Sequence, residues 1–452
     1  MQRFWCEHAW LDDDVADGVL VECEEGVIVA LARDVTAPAD AVRLSGMVVP
    51  GMANAHSHAF HRALRGYVQT GTGSFWTWRD DMYALAAVLT PESYRTLATA
   101  VYGEMLLAGV TAVGEFHYLH HDVDGAPHDD PNAMGVALAE AAAAAGVRMT
   151  LLDTCYLAGG IGVAPSPVQL RFSDGSASAW AARVELLGDG SGLAGDTVVG
   201  AAIHSVRAVQ REAMAEVAGF ASARSMPLHA HVSEQPAENE QCLAAHGLTP
   251  VGLLAEAGAL GPSFTAVHAT HLTESDIGLL GRHRCVVCMC PTTERDLADG
   301  IGPAARLADA GARLSLGSDS HAVIDLFEEA RAVELDERLA TNVRGTHRAA
   351  ALLRAATSDG HTSIGRHGAG RIAVGAPADL VAVSLTSVRT AGTTRASALE
   401  SVVFSATAAD VRTVVVAGDV LVDDGRHTRF DVAHALAASI TAVREAATGG
   451  AS

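Results

Sequence analysis

Lysine is absent from this 452-residue chain: every one of its 31 Lys+Arg positions is arginine. That excludes Schiff-base chemistry through lysine and any pair of metals bridged by a modified lysine. Long apolar runs are missing as well. Glu140 and Arg148 interrupt even the alanine tract at 137–146, so no membrane-spanning helix and no membrane partner is expected. The start, Met1-Gln-Arg-Phe-Trp-Cys-Glu-His, lacks the basic-then-apolar order of a secretory leader. Seven cysteines form no regular framework, and a reducing cytoplasm is the expected location. No basic block occurs, and the net charge of −22 argues against nucleic acid, whose phosphates need a basic footprint. An anionic substrate would have to be held by local arginines against the global field.

What is present is material for a large core, with 49% hydrophobic and 19% charged residues. Residues 1–46 alternate apolar and polar positions (Gly18-Val-Leu-Val-Glu, Gly26-Val-Ile-Val-Ala-Leu) and read as hairpin strands. Residues 361–430 contain similar runs, with Gly418-Asp as a turn signal. The two β-rich ends are expected to pair into one small discontinuous β-sandwich domain, followed by a helix over 431–452. Between them, 47–360 alternates apolar strands with Ala/Leu-rich helical segments. Strands are expected at 47–50, 111–116, 149–154, 197–203, 226–231, 264–268, 285–289 and 314–318, which points to a (β/α)₈ barrel. An open doubly wound sheet is the rival, but no glycine-rich phosphate fingerprint follows the first strand.

Reactive residues collect where these strands end, the usual place for a barrel active site. His56 and His58 follow the first strand on alternate residues, a spacing that puts both imidazoles on one face of an extended chain. Alone, the pair fits ordinary core or surface histidines equally well. The fifth strand adds His229, His231 and Glu234, the sixth His268 and His271, the eighth Asp319 and His321. Neutral imidazoles with a carboxylate suit Zn²⁺ or Fe²⁺ and leave room for water. His231 lies nearer the strand mouth and reads as a ligand; His229 lies deeper and reads as structural. Cys285, Cys288 and Cys290 read as small buried residues of the seventh strand, and in the cluster Tyr118–Asp122 only Tyr118 is retained as a binding candidate.

Taken together, His56-Ser-His-Ala-Phe-His-Arg, Ser74-Phe-Trp-Thr-Trp-Arg79, Gly114-Glu-Phe-His-Tyr118-Leu-His-His, His204-Ser-Val-Arg207, His229-Ala-His-Val-Ser-Glu234-Gln, Val267-His268-Ala-Thr-His, Cys290-Pro-Thr-Thr-Glu294 and Gly317-Ser-Asp319-Ser-His resemble the amidohydrolase superfamily of metal-dependent hydrolases. Within it, the chain is most similar to the formimidoylglutamate deiminase branch of histidine degradation. The resemblance spans nearly the whole chain. It implies one zinc ion held by His56, His58, His231 and Asp319, with iron fitting the same ligands, and the missing lysine agrees with a single metal. It further implies substrate contacts from Arg79, Tyr118, His204 and Arg207, and a homodimer. Position 61 departs from the branch, which commonly has glutamine there. His61 could replace that amide toward substrate, alter substrate choice or add a metal contact.

The chemistry so implied is hydrolysis of N-formimidoyl-L-glutamate to N-formyl-L-glutamate and ammonia. Asp319 and His268 would manage the water proton, and Glu234 would protonate the leaving nitrogen. A small dicarboxylate substrate matches the planar forks of Arg79 and Arg207. Trp76 and Trp78 belong to an aromatic loop expected to close over the site or to anchor packing. The rivals are a related deaminase of a nucleobase, nucleoside, amidine or guanidine, and a metal-binding protein without turnover.

Overall fold

The computed structural model describes residues 1–11, 14–70, 72–73 and 75–449. Four strands open the chain: β1 (Gln2–Leu11), β2 (Asp14–Glu24), β3 (Val27–Ala32) and β4 (Val42–Pro50). Eight more follow, β5 (Met52–Ser57), β6 (Val110–His117), β7 (Arg148–Cys155), β8 (Thr197–Ser205), β9 (Leu228–Val232), β10 (Phe264–His268), β11 (Val286–Met289) and β12 (Arg313–Leu316). The last four are β13 (Leu380–Val383), β14 (Val411–Val416), β15 (Asp419–Asp423) and β16 (Arg426–His427).

Strands β5 to β12 are parallel, each hydrogen-bonded to its sequence neighbour, with helices in the crossovers. Strand β6 is buried at all eight positions, the near-continuous apolar run of a strand covered on both faces. The barrel closes through a parallel bridge between Ser57 and Asp319. Gly317 permits that closure: a Cβ there would sit 2.7 Å from Cβ of His56. Crossover helices carry ordinary terminal signals. Pro91–Leu107 starts from a Thr90–Ser93 capping box with Pro91 in its first turn, and Ala133–Ala145 ends at left-handed Gly146.

The chain ends form one mixed sheet in the order β16-β15-β14-β13-β4-β1-β2-β3, with its own apolar core around Phe4, Val21, Ile28, Leu44, Leu380 and Val415. Backbone bonds from Ile28 to Ala376 and from Ala378 to Gly26 bring its far edge back toward β13. The pairing of the two β-rich ends is therefore as the alternating patterns implied. The first barrel strand is not. Residues 47–50 belong to β4, which pairs with β1 and β13 in the terminal sheet, and the barrel begins at Met52. The run 47–53 is apolar on both sides of Gly51, so hydropathy does not reveal that the chain changes sheets there. Gly51 marks the crossing. A Cβ on it would meet the Thr111 hydroxyl at 2.2 Å, and its N–H donates to Asp379 O at 2.9 Å.

The C-terminal helix runs from Val432 to Gly449; the rest of the expected span, 450–452, lies outside the described residues. No helix among the described residues is long and apolar enough to cross a membrane.

Candidate active site

His56 is on β5 itself, and His58 follows it at the strand mouth. His231 is on β9, and Asp319 lies three residues past β12. Each offers one ligand atom, and the four atoms lie within 4.8 Å of one another. His56 Nε2 and His58 Nε2 approach Asp319 Oδ1 at 3.1 and 3.3 Å, and His231 Nε2 faces His56 Nε2 at 3.1 Å. His58 Nδ1 donates to Phe116 O at 2.9 Å, and His231 Nδ1 to His204 O at 2.9 Å. Those bonds commit the Nε2 atoms of both rings to lone pairs aimed at one point. Burial pushes His56 down to about 3 and His231 well below the usual imidazole range, so both rings are neutral. Burial opposes ionisation of Asp319, yet the His56 and His58 rings beside it hold its carboxyl well below the usual carboxylate range. Converging lone pairs and one carboxylate fit a divalent cation.

Beneath the cluster, a buried carboxyl that sequence reasoning passed over fixes the His-Ser-His backbone. Glu115 accepts from Ser57 Oγ and from Ala59 N, each at 2.6 Å. Burial, offset in part by these two donors, raises it to about 7. A carboxylate inside the apolar run of β6 was its only signal. His321 is no part of the ligand group: its Nδ1 bonds the Ser318 hydroxyl at 2.9 Å and its Nε2 reaches Ser57 Oγ at 3.2 Å. His229 donates to Ser363 O at 2.8 Å, deep in the barrel, and His271 Nε2 points to Asp299 O.

His268 stands beside the cluster between three carboxylates. Its Nε2 is 3.8 Å from Glu234 Oε1 and 3.9 Å from Asp319 Oδ2, and its Nδ1 is 3.5 Å from Glu294 Oε1. Burial disfavours its charge, but Glu234, Glu294 and Asp319 outweigh it and raise His268 well above the imidazole range. His268 and Asp319 both have left-handed backbone, φ +68° and +40°, as does Ser233 just before Glu234. Such strain is held where surrounding structure fixes a side chain for use.

A cavity of about 610 Å³ opens over these groups. All five residues expected at the substrate line it: His61, Arg79, Tyr118, His204 and Arg207. Trp76, Trp78 and Arg79 lie on a helix, Phe75–Ala86, rather than in a loop. Phe75, Trp78, Arg79, Met82 and Tyr83 all fall on its cavity side at helical spacing, a stripe obscured by the dense aromatic motif. Ser74, at the head of that motif, lies outside the described residues. The Arg79 guanidinium sits 4.5 Å from the Trp76 ring and pairs with no carboxylate among the described residues. Arg207 is tied more firmly, with Nε 3.0 Å from Glu238 and Nη2 3.4 Å from Glu234. Glu238 is buried and also accepts from Ser233 N at 2.8 Å; nothing in its sequence context marked it. His61 Nε2 meets the Tyr118 hydroxyl at 3.0 Å, and its ring lies 4.6 Å from that of His58 without entering the ligand group.

A second triplet, His117, His120 and Asp153, has comparable spacing. Its chemistry is different. Arg183 binds both oxygens of Asp153 at 2.8 Å, and Trp180 donates to it at 2.9 Å, so a guanidinium already occupies the cation's place. The three cysteines near β11 are buried and unpaired, as their apolar setting implied.

The sequence model of the amidohydrolase family matches residues 47–421. Over 439 residues the chain is 37% identical to formimidoylglutamate deiminase of Pseudomonas aeruginosa, covering 94% of this chain and 96% of that protein. Its fold matches a crystal structure of an amidohydrolase from Brucella melitensis with a TM-score of 0.90 and 32% identity, covering 98% of this chain and all of that one. An adenosine deaminase from Xanthomonas campestris with bound zinc matches with a TM-score of 0.84 and 25% identity, over 99% and 98% of the two chains.

Proposed function

From a chain that belongs to the amidohydrolase family, we propose hydrolytic deimination of N-formimidoyl-L-glutamate to N-formyl-L-glutamate and ammonia. The observation that carries it is the pairing of a convergent His56, His58, His231 and Asp319 cluster with two cavity-lining guanidiniums, Arg79 and Arg207. A cluster alone suits many deaminations; two planar cationic forks suit a dicarboxylate. The Pseudomonas relative bears the name of this activity.

The four ligand residues would hold one zinc ion, with ferrous iron an alternative for the same donors. When bound, such an ion supplies Lewis acidity that brings the pKa of water toward about 7. Asp319 Oδ2, turned toward His268, accepts the water proton, and His268 orients the exchange from between Asp319 and Glu234. Glu234 lines the cavity, delivers a proton to the imino nitrogen and then passes on the proton of the added hydroxyl, so that the nitrogen leaves as ammonia and the carbon keeps a formyl carbonyl. Arg79 and Arg207 hold the carboxylates, and Tyr118, His204 and His61 line the wall between them and the cluster. A cytoplasmic homodimer completes the reading; light scattering tests the dimer.

The deciding assay is ammonia release from N-formimidoyl-L-glutamate by metal-loaded enzyme, run beside adenosine and guanine. Turnover confined to the bases would replace the substrate and leave the family standing. That second reading has one observation behind it, the similarity to a zinc-bound adenosine deaminase.

A further inference from the structure

Two cavity-lining tyrosines have their protons organised by a residue behind the wall. Gln169, buried in the segment after β7, donates from Nε2 to the Tyr156 hydroxyl at 2.6 Å and to the Tyr83 hydroxyl at 3.0 Å. Its Oε1 accepts from Ser166 N at 2.8 Å, which fixes the amide orientation. Both N–H groups of the amide are thereby spent on phenol oxygens, and each phenol accepts there. Both hydroxyls are held on that one amide nitrogen. One phenol can donate to its neighbour, but the other O–H then has no partner within the triad and is left to the cavity both rings line.

The surroundings are those of an anion. Tyr83 lies on the helix Phe75–Ala86, its ring 5.5 Å from the Arg79 guanidinium. Tyr156 stacks edge-on against His204 at 4.5 Å. Arg207 lines the same cavity as both phenols. Nearby Arg171 secures the same arrangement. Buried and without a carboxylate partner among the described residues, it donates to Leu89 O at 2.7 Å, His121 O at 3.0 Å and Ala86 O at the end of the helix. Thus Gln169 and Arg171, two residues apart, fasten the helix bearing Arg79 to the loops of β6 and β7.

We propose that Tyr83 and Tyr156 bind one carboxylate of the substrate alongside the arginines, with Gln169 as the positioning residue that turns a phenolic proton toward it. This rests on the dicarboxylate reading above and adds three residues to it. Gln169→Glu provides the sharpest perturbation, since it keeps the shape but accepts where the amide donates. The phenolic protons would then turn inward to Glu and away from the ligand.

The test measures kcat and KM for wild type, Y83F, Y156F and Q169E on three compounds: N-formimidoyl-L-glutamate, N-formimidoylglycine and N-formimidoyl-4-aminobutyrate. The last two each lack one carboxylate. KM for the dicarboxylate should rise about tenfold in each variant, the worth of one hydrogen bond to a charged group, with kcat within about threefold. The penalty should persist on one truncated compound and vanish on the other. Equal penalties on all three, or none, would overturn the proposal, since a general packing defect does not distinguish carboxylates. Should Q169E fail to fold, Y83F and Y156F, each one oxygen smaller, carry the test. Should wild type hydrolyse none of the three, the proposed function falls, and calorimetric binding of glutarate then decides. Tighter binding by wild type than by both Phe variants keeps the subsite; equal binding removes it.

Discussion

Arg207 places Nη2 3.4 Å from Glu234 Oε2, so a group suited to holding a substrate carboxylate touches the group suited to moving a proton. Glu238 anchors the other side of the same guanidinium at 3.0 Å. Because that ion pair is made to a buried carboxylate, Arg207 keeps its place when a ligand competes for Nη2. Recognition and proton transfer therefore meet in one contact between two side chains.

Glu234→Gln should separate the two. The amide retains the contact to Arg207 and leaves the ligand cluster intact, so metal content by elemental analysis should match wild type. Turnover should fall about 10²–10⁴-fold, the range for losing a general acid. Near-normal turnover would remove Glu234 from the chemistry.

Arg207→Ala should act mainly on binding. Removing a charge-assisted contact of about 1.5–3 kcal/mol should raise KM for the dicarboxylate by roughly 10–100-fold. An unchanged KM would end its role as a carboxylate clamp.

His61 offers a three-way decision. Its Nε2 bonds the Tyr118 hydroxyl and lies outside the four-atom ligand group. His61→Gln, whose amide can still reach Tyr118, should keep kcat/KM within a few-fold. His61→Leu should lower it about tenfold through the lost hydrogen bond. Metal stoichiometry should be unchanged in both; loss of metal would make His61 a ligand after all.

The sequence exposed the barrel and the ligand set because both repeat a strong local signal. His56, His231, His268 and Asp319 each sit at or just past the end of an apolar run, where polar residues stand out. Glu238, Gln169 and Arg171 stayed hidden because their importance comes from partners 31 to 86 positions away, such as Arg207, Tyr83 and His121. The boundary at Gly51 was missed for the opposite reason: two buried strands of different sheets follow one another with no polar residue between them.

Acid should unfold the protein through histidines remote from the site. His229 and His361 are buried; their Nε2 atoms bond Ser363 O at 2.8 Å and Gly51 O at 3.1 Å, and their Nδ1 atoms have no partner. Burial lowers both to about 4 from an ordinary 6.5. Between those values the unfolded chain binds protons that the folded chain refuses, so stability rises with pH through this window and is lost as pH falls. Each ring contributes up to about 1.4 kcal/mol per pH unit, hence roughly 2 kcal/mol lost per histidine from pH 6.5 to 5. Urea unfolding of metal-free protein at pH 7.5, 6.5 and 5 should show that decline and little change between the first two. His361→Gln retains a donor for Gly51 O but has no titration in this range, so its stability should depend less steeply on pH by about one proton. An unaltered slope in that variant would place the acid sensitivity elsewhere.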